Sequence, residues 1–511
     1  MNKEAETSAK SEAIVLTGRD LAISEVVSVA RHGARVQVSP RSFAEVEAAR
    51  AVLLGLIDGE KPIYGLNTGV GANKDNRISP EEYRTFNERI LRSHSAGVPP
   101  FADRETVRAA LLIRLNGLLN GVSGIQPAIV RLIAEMLNLG IHPRVPERGS
   151  VGMSDLANMA YIGLALIGEG TAEYRGELVP AARALEDSGL KPVVLGPKDG
   201  LSLVSSNAFA VGKAALLAAE FETLLKTADI AYAMGCEAQG CNPMFLDPRS
   251  GRRRPLKGQH DSLAFTRDCL EGSELWNSPN ESLSGALSWK SSCAIHGAVR
   301  DTLSHARDDL LQYMNSSDDC PMVLIPEGDM ISTDNFIVTG LAVAFEAAGI
   351  ALAHLSRLIC NRIMRMDNEH FGNLPRFLRP RRDVIAFSVI QKTIVALDAE
   401  VRLLSNPVSL DYMPTANETE DHGCNTPLVM QKTRRIADLL YRLLGIELMH
   451  CAQAADLRGK PPTGKGTGYA YRALRREISF LDDDDRDLGA EMEKAYELVR
   501  LGEICRPEYR G

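Results

Sequence analysis

Long stretches without helix breakers occupy the chain after about residue 200, and they constrain its fold more than any other feature. Five segments contain few glycine or proline residues: 202–234, 296–314, 335–366, 389–404 and 426–455. In the last segment apolar residues recur every three or four positions, as on one face of an α-helix. Helices of this length would reach about 40–50 Å. A bundle of such helices has too large a surface for a stable monomer. The pattern predicts an all-α fold around a long central helical bundle.

The first 150 residues have shorter predicted elements and a mixed character. Residues 14–16 and 36–38 are candidate strands, and Ser39-Pro40 has the pattern of an N-cap followed by the first helical residue. Helical patterns follow at residues 106–119 and 127–139, the second ended by a glycine.

A domain plan follows from these segments. We expect a mixed N-terminal domain over residues 1–200 and the helical bundle over residues 201–458. A proline- and glycine-rich loop then introduces a C-terminal helical tail over residues 459–511.

Composition excludes several classes of protein. Lysine and arginine number 58 against 66 aspartate and glutamate, a formal charge of -8, so neither nucleic acid nor a membrane is an expected partner. The nine cysteines lack C-x-x-C spacing and the ten histidines lack H-x-x-x-H pairing, so no metal site is predicted. The first eight residues are polar, and we expect a cytoplasmic protein with reduced thiols.

Five motifs occur in order along most of the chain. They are YGLNTGVG at 64–71, LRSHSAGV at 91–98, GSVG at 149–152, NSSDDCP at 315–321, and PTAN leading into EDH at 414–422. Together they resemble the histidine and aromatic amino-acid ammonia-lyases and their aminomutase relatives. The resemblance implies an all-α fold shared with fumarase and aspartase, a small-molecule substrate, and a homotetramer whose active sites are built from several subunits.

The resemblance breaks where those enzymes make their electrophile. Family members have Ala-Ser-Gly after GSVG, and these residues cyclise into a methylidene-imidazolone (MIO) group. This chain has Met153-Ser154-Asp155 instead and is one residue shorter. Ring closure requires a crowded backbone approach that glycine permits. We therefore expect no MIO and no other cofactor.

A missing electrophile favours a particular leaving group. A base would remove the N–H proton of a primary ammonium before the less acidic C–H proton. A quaternary nitrogen has no N–H and no lone pair to donate, and it leaves as a neutral amine. We therefore expect β-elimination from an amino-acid betaine. Within the family this profile resembles the MIO-less branch, which splits ergothioneine into thiourocanate and trimethylamine.

Three residues are candidates for the base and the substrate carboxylate. The resemblance makes Tyr64 the base, a role that requires neighbours to lower its pKa; the alternative is a loop tyrosine that packs its ring. Lys290, in the aligned run 284–290, replaces the arginine that holds the carboxylate, or it is a solvated lysine. Asn67 either donates to the same carboxylate or forms the turn.

Two further residues are candidates for contact with the substrate ring. Lys392 lies in a helix with core-like neighbours and Glu420 in the EDH motif, so together they would bracket an imidazole-2-thione. The alternative for Lys392 is a helix-surface lysine. Glu418 is the alternative to Glu420.

The remaining candidates surround the same position. His94 either approaches the substrate ring or is a structural histidine. Asn207 lies in the segment 205–207 that aligns with the family's Asn-Gly-Thr, and we include it as substrate-binding. Phe336 and Trp289 are candidates to face a trimethylammonium, with core packing as the alternative for each.

Two other functions remain open. One is an ammonia-lyase or aminomutase that acts on histidine or an aromatic amino acid and makes an MIO from the altered triad. The other is a non-catalytic descendant that binds a ligand on the inherited scaffold.

Overall fold

The computed structural model describes residues 13–277, 285–371, 373–410 and 412–509. The polar residues 1–8 and Ser284 of the aligned run lie outside the described residues. The described part contains seventeen α-helices and nine short β-strands, so the predicted all-α class with a mixed N-terminal region is confirmed. The chain forms two compact units, each assembled from three stretches of sequence. Unit 1 takes its residues from 1–219, 308–343 and 408–431, and unit 2 from 220–307, 344–407 and 432–511.

The start of unit 1 follows the sequence pattern closely. Strands β1 (Ile14–Leu16) and β2 (Val36–Val38) pair in parallel, and α1 (Ile23–His32) connects them. Helix α2 (Pro40–Leu56) begins directly after Ser39, with proline at its first position. Both predicted strands and the predicted helix start are confirmed.

Short helices and three small antiparallel sheets complete unit 1. The helices are α3 (Tyr83–His94), α4 (Arg104–Leu118), α5 (Pro127–Leu139), α6 (Leu156–Leu166), α7 (Ala181–Asp187) and α8 (Asp199–Val204). The strands are β3 (Val98–Phe101), β4 (Ile141–Pro143), β5 (Pro146–Arg148), β6 (Thr171–Tyr174), β7 (Glu177–Pro180), β8 (Met322–Leu324) and β9 (Asp329–Ile331). They pair as β3–β5, β4–β6–β7 and β8–β9. The predicted helices at 106–119 and 127–139 correspond to α4 and α5.

One apolar cluster of unit 1 supports the glycine-rich loop after α2. It joins side chains of α2, of that loop and of the β8–β9 hairpin: Ala49, Leu53, Ile63, Leu66, Val323 and Met330. Ile63 and Leu66 are buried and flank Tyr64 in sequence. Because the loop is anchored on both sides of Tyr64, the position of that residue is fixed by packing.

Helices account for the whole of the named secondary structure in unit 2, within the described residues. They are α9 (Ala208–Gln239), which begins in unit 1, α10 (Lys257–Cys269), α11 (Leu287–Lys290), α12 (Ser292–Met314), α13 (Thr339–Met366), α14 (Ile390–Leu404), α15 (Thr426–Leu457), α16 (Lys465–Glu477) and α17 (Leu488–Arg500). The five long predicted segments are helical with two exceptions. Residues 205–207 interrupt the first segment and separate α8 from α9, and residues 335–338 at the start of the third segment precede α13 and are not helical.

Buried ion pairs connect four of the long helices of unit 2. Asp229 of α9 pairs with Arg300 of α12, and its carboxylate lies 2.6 Å from Nδ1 of His296. Arg362 of α13 pairs with Glu447 of α15 through two hydrogen bonds of 2.5 and 2.9 Å. Removing one partner would leave a buried charge unpaired, which is strongly destabilising.

Two helical segments have apolar windows of unusual length. Asp199–Gln239 and Thr339–Met366 are long and apolar enough to cross a membrane by length and composition alone, a test that core helices also pass. The window of the first is 94% buried and that of the second only 56%. Unit 2 also exposes apolar side chains on α13 and α14, including Ile350, Val395 and Leu403.

Candidate active site

Tyr64 lies in the glycine-rich loop that follows α2. Its phenol oxygen accepts a hydrogen bond from the backbone N–H of Gly71 at 2.8 Å. Gly65 has a left-handed φ of 65°, and a Cβ at that position would lie 2.2 Å from a methyl carbon of Leu201. The loop therefore requires glycine beside the candidate base.

The phenol of Tyr64 is harder to ionise than that of a free tyrosine. Burial raises its pKa, and the hydrogen bond from Gly71 opposes this only in part. The nearby Cys320 thiol and Glu420 carboxylate raise the pKa further. The lowered pKa that the base role requires is therefore not a property of this chain by itself, and it needs an additional positive charge.

Asn67 holds the same loop together. Its side-chain oxygen accepts from the backbone N–H of Ile63 at 2.8 Å, and its side-chain nitrogen donates to the carbonyls of Lys61 and Gly59 at 3.1 and 3.4 Å. Both ends of the amide have partners within the loop. This geometry supports the turn-forming interpretation over contact with a substrate carboxylate.

Residues 152–155, which replace the MIO-forming segment, adopt an irregular backbone. Gly152 and Ser154 have positive φ values of 86° and 58°. The backbone N–H of Ser154 donates to the carbonyl of Phe336 at 3.2 Å, and that of Asp155 donates to the carbonyl of Ser206 at 2.7 Å. The segment is therefore bound by backbone hydrogen bonds on two sides.

The Asp155 side chain is completely buried and caps helix α9. One carboxyl oxygen accepts from the backbone N–H of Ala210 at 2.7 Å, while the other has no partner among the described residues. Burial raises the pKa of Asp155 to about 7. Asp155 thus accepts a hydrogen bond from a backbone N–H in the first turn of α9, although it is distant from that helix in sequence.

An MIO group does not fit this segment. Its formation would require the Asp155 nitrogen to attack the carbonyl carbon of Met153. That N–H donates to Ser206, and residue 155 carries a buried side chain where the family has glycine. No step of the reaction is assigned to such a group.

Asn207 and Asp318 meet at the start of α9. The backbone N–H of Asn207 donates to Oδ2 of Asp318 at 2.6 Å, and the hydroxyl of Ser206 donates to the same oxygen at 2.8 Å. Oδ1 of Asp318 accepts from Arg114 at 2.9 Å. The side-chain amide of Asn207 is 1% exposed and has no hydrogen-bond partner among the described residues.

A cavity of about 820 Å³ opens beside these groups. Asn207, Asp318 and Asp334 supply polar parts of its wall, and Tyr313 and Ile337 supply apolar parts. Asn207 follows Ser206, and Ile337 follows Phe336, in the chain. Because Ser206 and Phe336 bind residues 154–155, the cavity adjoins the altered triad.

Glu420 lies close enough to Tyr64 to affect its ionisation. Its Oε2 accepts a hydrogen bond from the Thr415 hydroxyl at 2.9 Å, and its backbone carbonyl accepts from the Tyr412 hydroxyl at 3.2 Å. The side chain is half-buried, whereas Glu418 is exposed. Glu420 is therefore better placed than Glu418 to contact a ligand beside Tyr64.

His94 and Phe336 occupy different surroundings. The Nδ1–H of His94 donates to the carbonyl of Ile90 at 2.8 Å, so the neutral ring keeps Nε2 as its acceptor. Phe336 is half-buried and its carbonyl binds Ser154. Phe336 thus lies directly beside the altered triad.

Lys290 and Lys392 belong to unit 2, and both are exposed in the single chain. Lys392 lies on α14 between the buried residues Ile390 and Ile394, so only one face of this helix has the predicted core character. Lys290 ends the short helix α11. Their surface position leaves both ammonium groups accessible to another molecule.

Trp289 is part of the core of unit 2. Its side chain is 6% exposed and its ring stacks on Tyr232 with centroids 6.2 Å apart. The hydroxyl of Tyr232 donates to the Trp289 carbonyl at 2.7 Å. The structure supports core packing, the alternative stated for Trp289, over contact with a substrate cation.

Four charged residues in or near the cavity wall have no role in the sequence-based interpretation: Arg114, Lys198, Asp318 and Asp319. Arg114 pairs with both Asp318 and Asp319. Lys198 is buried, and its ammonium donates to the Ser123 carbonyl at 2.7 Å. Burial lowers the pKa of Lys198 to about 8. The adjacent acids of the NSSDDCP motif were the available signal for Asp318 and Asp319, whereas no pattern marks Lys198.

Comparison with known proteins places this geometry in a family. The model of the family described as aromatic amino acid lyase matches residues 21–476. The chain belongs to the aromatic amino acid lyase family.

No group of three or more histidine, cysteine, aspartate or glutamate side chains that could hold a metal ion occurs among the described residues.

Individual members of the family align over almost the whole chain. A histidine ammonia-lyase of Treponema denticola is 35% identical over 493 residues, which cover 96% of this chain and 97% of the relative. The crystal structure of ergothionase from Treponema denticola, in complex with desmethyl-ergothioneine sulfonic acid, superposes with a TM-score of 0.94 at 37% identity, covering 96% of this chain and 99% of that one. Tyrosine aminomutase from Streptomyces globisporus has a TM-score of 0.91 at 29% identity, covering 96% and 97%. This membership supports a carbon–nitrogen lyase.

Proposed function

We propose that this protein is a carbon–nitrogen lyase that eliminates trimethylamine from ergothioneine and forms thiourocanate without an MIO group. The observation that carries the proposal is the geometry of residues 153–155. Their backbone is held by hydrogen bonds to Phe336 and Ser206, and Asp155 carries a buried capping side chain. The similarity to ergothionase supports the same conclusion.

The leaving group makes an electrophile unnecessary. A trimethylammonium group cannot donate a lone pair to an MIO, and it departs as a neutral amine once the β-proton is removed. The enzyme then needs a base, a way to delocalise charge into the imidazole-2-thione, and contacts that hold the carboxylate.

Tyr64 is the proposed base. Its raised pKa in the chain alone is a difficulty that the substrate resolves, since a permanent cation nearby favours the phenolate. The hydrogen bond from Gly71 stabilises the same ionised oxygen. An amino acid with a primary amino group would favour the phenolate of Tyr64 less, because its ammonium can lose a proton to the base.

The substrate ring and carboxylate are assigned to residues from more than one copy of the chain. Glu420, near Tyr64, accepts from a ring N–H. Lys392 of another copy faces the thione sulfur and Lys290 of another copy the carboxylate, while Asn207 donates to the carboxylate. Phe336 borders the reacting carbon. The exposure of both lysines supports this assignment, because each is available to a neighbouring chain.

A homotetramer is the proposed assembly. Ile350, Val395 and Leu403 are 45–71% exposed in one chain. Apolar side chains in such numbers on long helices are typical of surfaces that another subunit covers. Cytoplasmic location remains part of the proposal.

Histidine ammonia-lyase activity is the second candidate, since curated relatives at 35–37% identity carry that name. The test incubates the full chain with ergothioneine, hercynine, histidine, phenylalanine and tyrosine and measures trimethylamine and ammonia. We expect trimethylamine from ergothioneine and no ammonia from the three amino acids. Ammonia from histidine with no trimethylamine from either betaine would overturn the proposal. The Tyr64→Phe variant, assayed in parallel, controls for contaminating activity.

A further inference from the structure

The wall of the 820 Å³ cavity carries an unusual balance of charge. Asp318 and Asp334 are its acidic residues, and Arg19 is the cation in the wall. The guanidinium of Arg19 is already paired with Glu45 at 2.6 Å. The wall therefore offers carboxylates without a matching cation of its own.

Asp318 is held rigidly with part of its carboxylate accessible. Arg114, Ser206 and the backbone of Asn207 donate to it, yet its side chain keeps 21% of its surface exposed. Arg114 is shared with Asp319, which is fully buried. A positive ligand in the cavity would therefore meet a fixed carboxylate edge whose own counter-ion serves two acids.

A second and independent observation points to a ligand at the same position. The Asn207 side-chain amide is 99% buried in the cavity wall, and neither its oxygen nor its nitrogen has a partner among the described residues. A buried amide without partners is destabilising, so such groups are rare unless something binds them. A ligand carboxylate would accept from its N–H groups.

We propose that this cavity binds the head group of an amino-acid betaine, with the quaternary ammonium against Asp318 and the α-carboxylate accepting a hydrogen bond from Asn207. This inference rests on the proposed function and names the residue that recognises the leaving group. The two charged groups of the ligand are attached to one carbon atom, and the two protein groups are neighbours, since the Asn207 backbone N–H donates to Asp318 at 2.6 Å. Tyr313 and Ile337 border the methyl groups.

Asp318 acts on binding and not on the chemical step. The nitrogen is cationic in the bound substrate and becomes neutral as the C–N bond breaks. Attraction to Asp318 is therefore strongest in the ground state and weaker in the transition state, which lowers KM without raising kcat. Asp318→Asn should raise KM for ergothioneine about tenfold and leave kcat unchanged or slightly higher. Arg114 keeps Asp319 as a partner in this variant.

The direct test separates charge from shape. Glycine betaine and its isostere 3,3-dimethylbutanoate share the carboxylate and the three methyl groups, but the isostere has a neutral tert-butyl group in place of the quaternary ammonium. Binding of both to the full protein is measured by calorimetry. We expect the wild type to prefer glycine betaine about tenfold and Asp318→Asn to lose the preference. Asp329→Asn, which changes a half-buried aspartate that pairs with Lys61 outside the cavity wall, should retain it. An unchanged preference in Asp318→Asn would overturn the inference.

A second variant covers the case in which Asp318→Asn does not fold. Asn207→Ala should weaken both ligands equally, because both have the carboxylate; weakening of glycine betaine alone would overturn the assignment. Failure of the proposed function is distinguishable. If glycine betaine binds through Asp318 but ergothioneine releases no trimethylamine, the cavity assignment stands and the proposed reaction fails. If trimethylamine is released with an unchanged KM in Asp318→Asn, the cavity assignment fails.

Discussion

Replacing Asp155 by asparagine tests the burial of the residue that stands in the altered triad. Burial raises the pKa of Asp155 from 3.8 to about 7. An acid whose pKa is raised on folding stabilises the folded state most below the unfolded pKa, and this stability is lost as the pH rises through the folded value. Asparagine keeps an oxygen that can accept from Ala210 and does not titrate.

The size of the effect follows from the shift. At 1.36 kcal/mol for each pKa unit, this shift lowers the free energy of unfolding of the wild type by roughly 4 kcal/mol as the pH rises from below the unfolded pKa to above the folded pKa. About 2–3 kcal/mol of this loss falls between pH 5 and pH 8. The stability of Asp155→Asn relative to the wild type should therefore rise by about 2–3 kcal/mol over that interval. Urea unfolding of both proteins at one protein concentration measures it. Parallel pH dependences would refute the reasoning, because they would mean that Asp155 is ionised or exposed in the folded protein.

Three further predictions concern catalysis. Tyr64→Phe should lower kcat by a factor of about 10²–10⁴ with the oligomer intact, measured by trimethylamine release and size-exclusion chromatography; unchanged turnover would remove Tyr64 as the base. In the wild type, kcat/KM should rise with pH above 10, because the pKa of Tyr64 in the free enzyme is raised. The profile of kcat should rise at lower pH, because the bound cation favours the phenolate. If kcat and kcat/KM rise over the same pH range, this reasoning is contradicted. Lys392→Met should impair ergothioneine turnover more than hercynine turnover, whereas equal losses would indicate a structural role.

Helices were the most predictable part of the fold. Segments such as α13 and α15 have few breakers and a clear apolar period, and these local signals are sufficient for a long helix. The period did not reveal the break at residues 205–207. That break depends on hydrogen bonds from Asp155 and to Asp318, which are remote in sequence. The domain boundaries at residues 200 and 458 remain predictions.

The candidate site was predictable where a motif fixes a loop, and less so where a side chain finds a distant partner. Tyr64 and Glu420 come from two of the motifs, and Glu420 lies close enough to Tyr64 to affect its pKa. The sequence could not decide between the two roles stated for Asn67, because its type suits both a turn and a ligand contact, and only its hydrogen bonds favour the turn. Asp318 acquires its exposed carboxylate edge only through the fold.

The two lysines illustrate a different limit. The apolar neighbours of Lys392 suggested burial, but only Ile390 and Ile394 are buried, whereas Val389 and Val395 are exposed, like the lysine. Sequence periodicity defines which residues share a face of a helix and not what covers that face. Their assignment to a neighbouring chain remains a proposal.

The peptide that contains residues 153–155 gives the most direct test of the central claim that the reaction proceeds without an MIO group. Tandem mass spectrometry of a digest of the active protein measures its mass. We predict the unmodified Met-Ser-Asp sequence in a preparation that releases trimethylamine from ergothioneine. A peptide lighter by two water molecules at these positions would contradict the account.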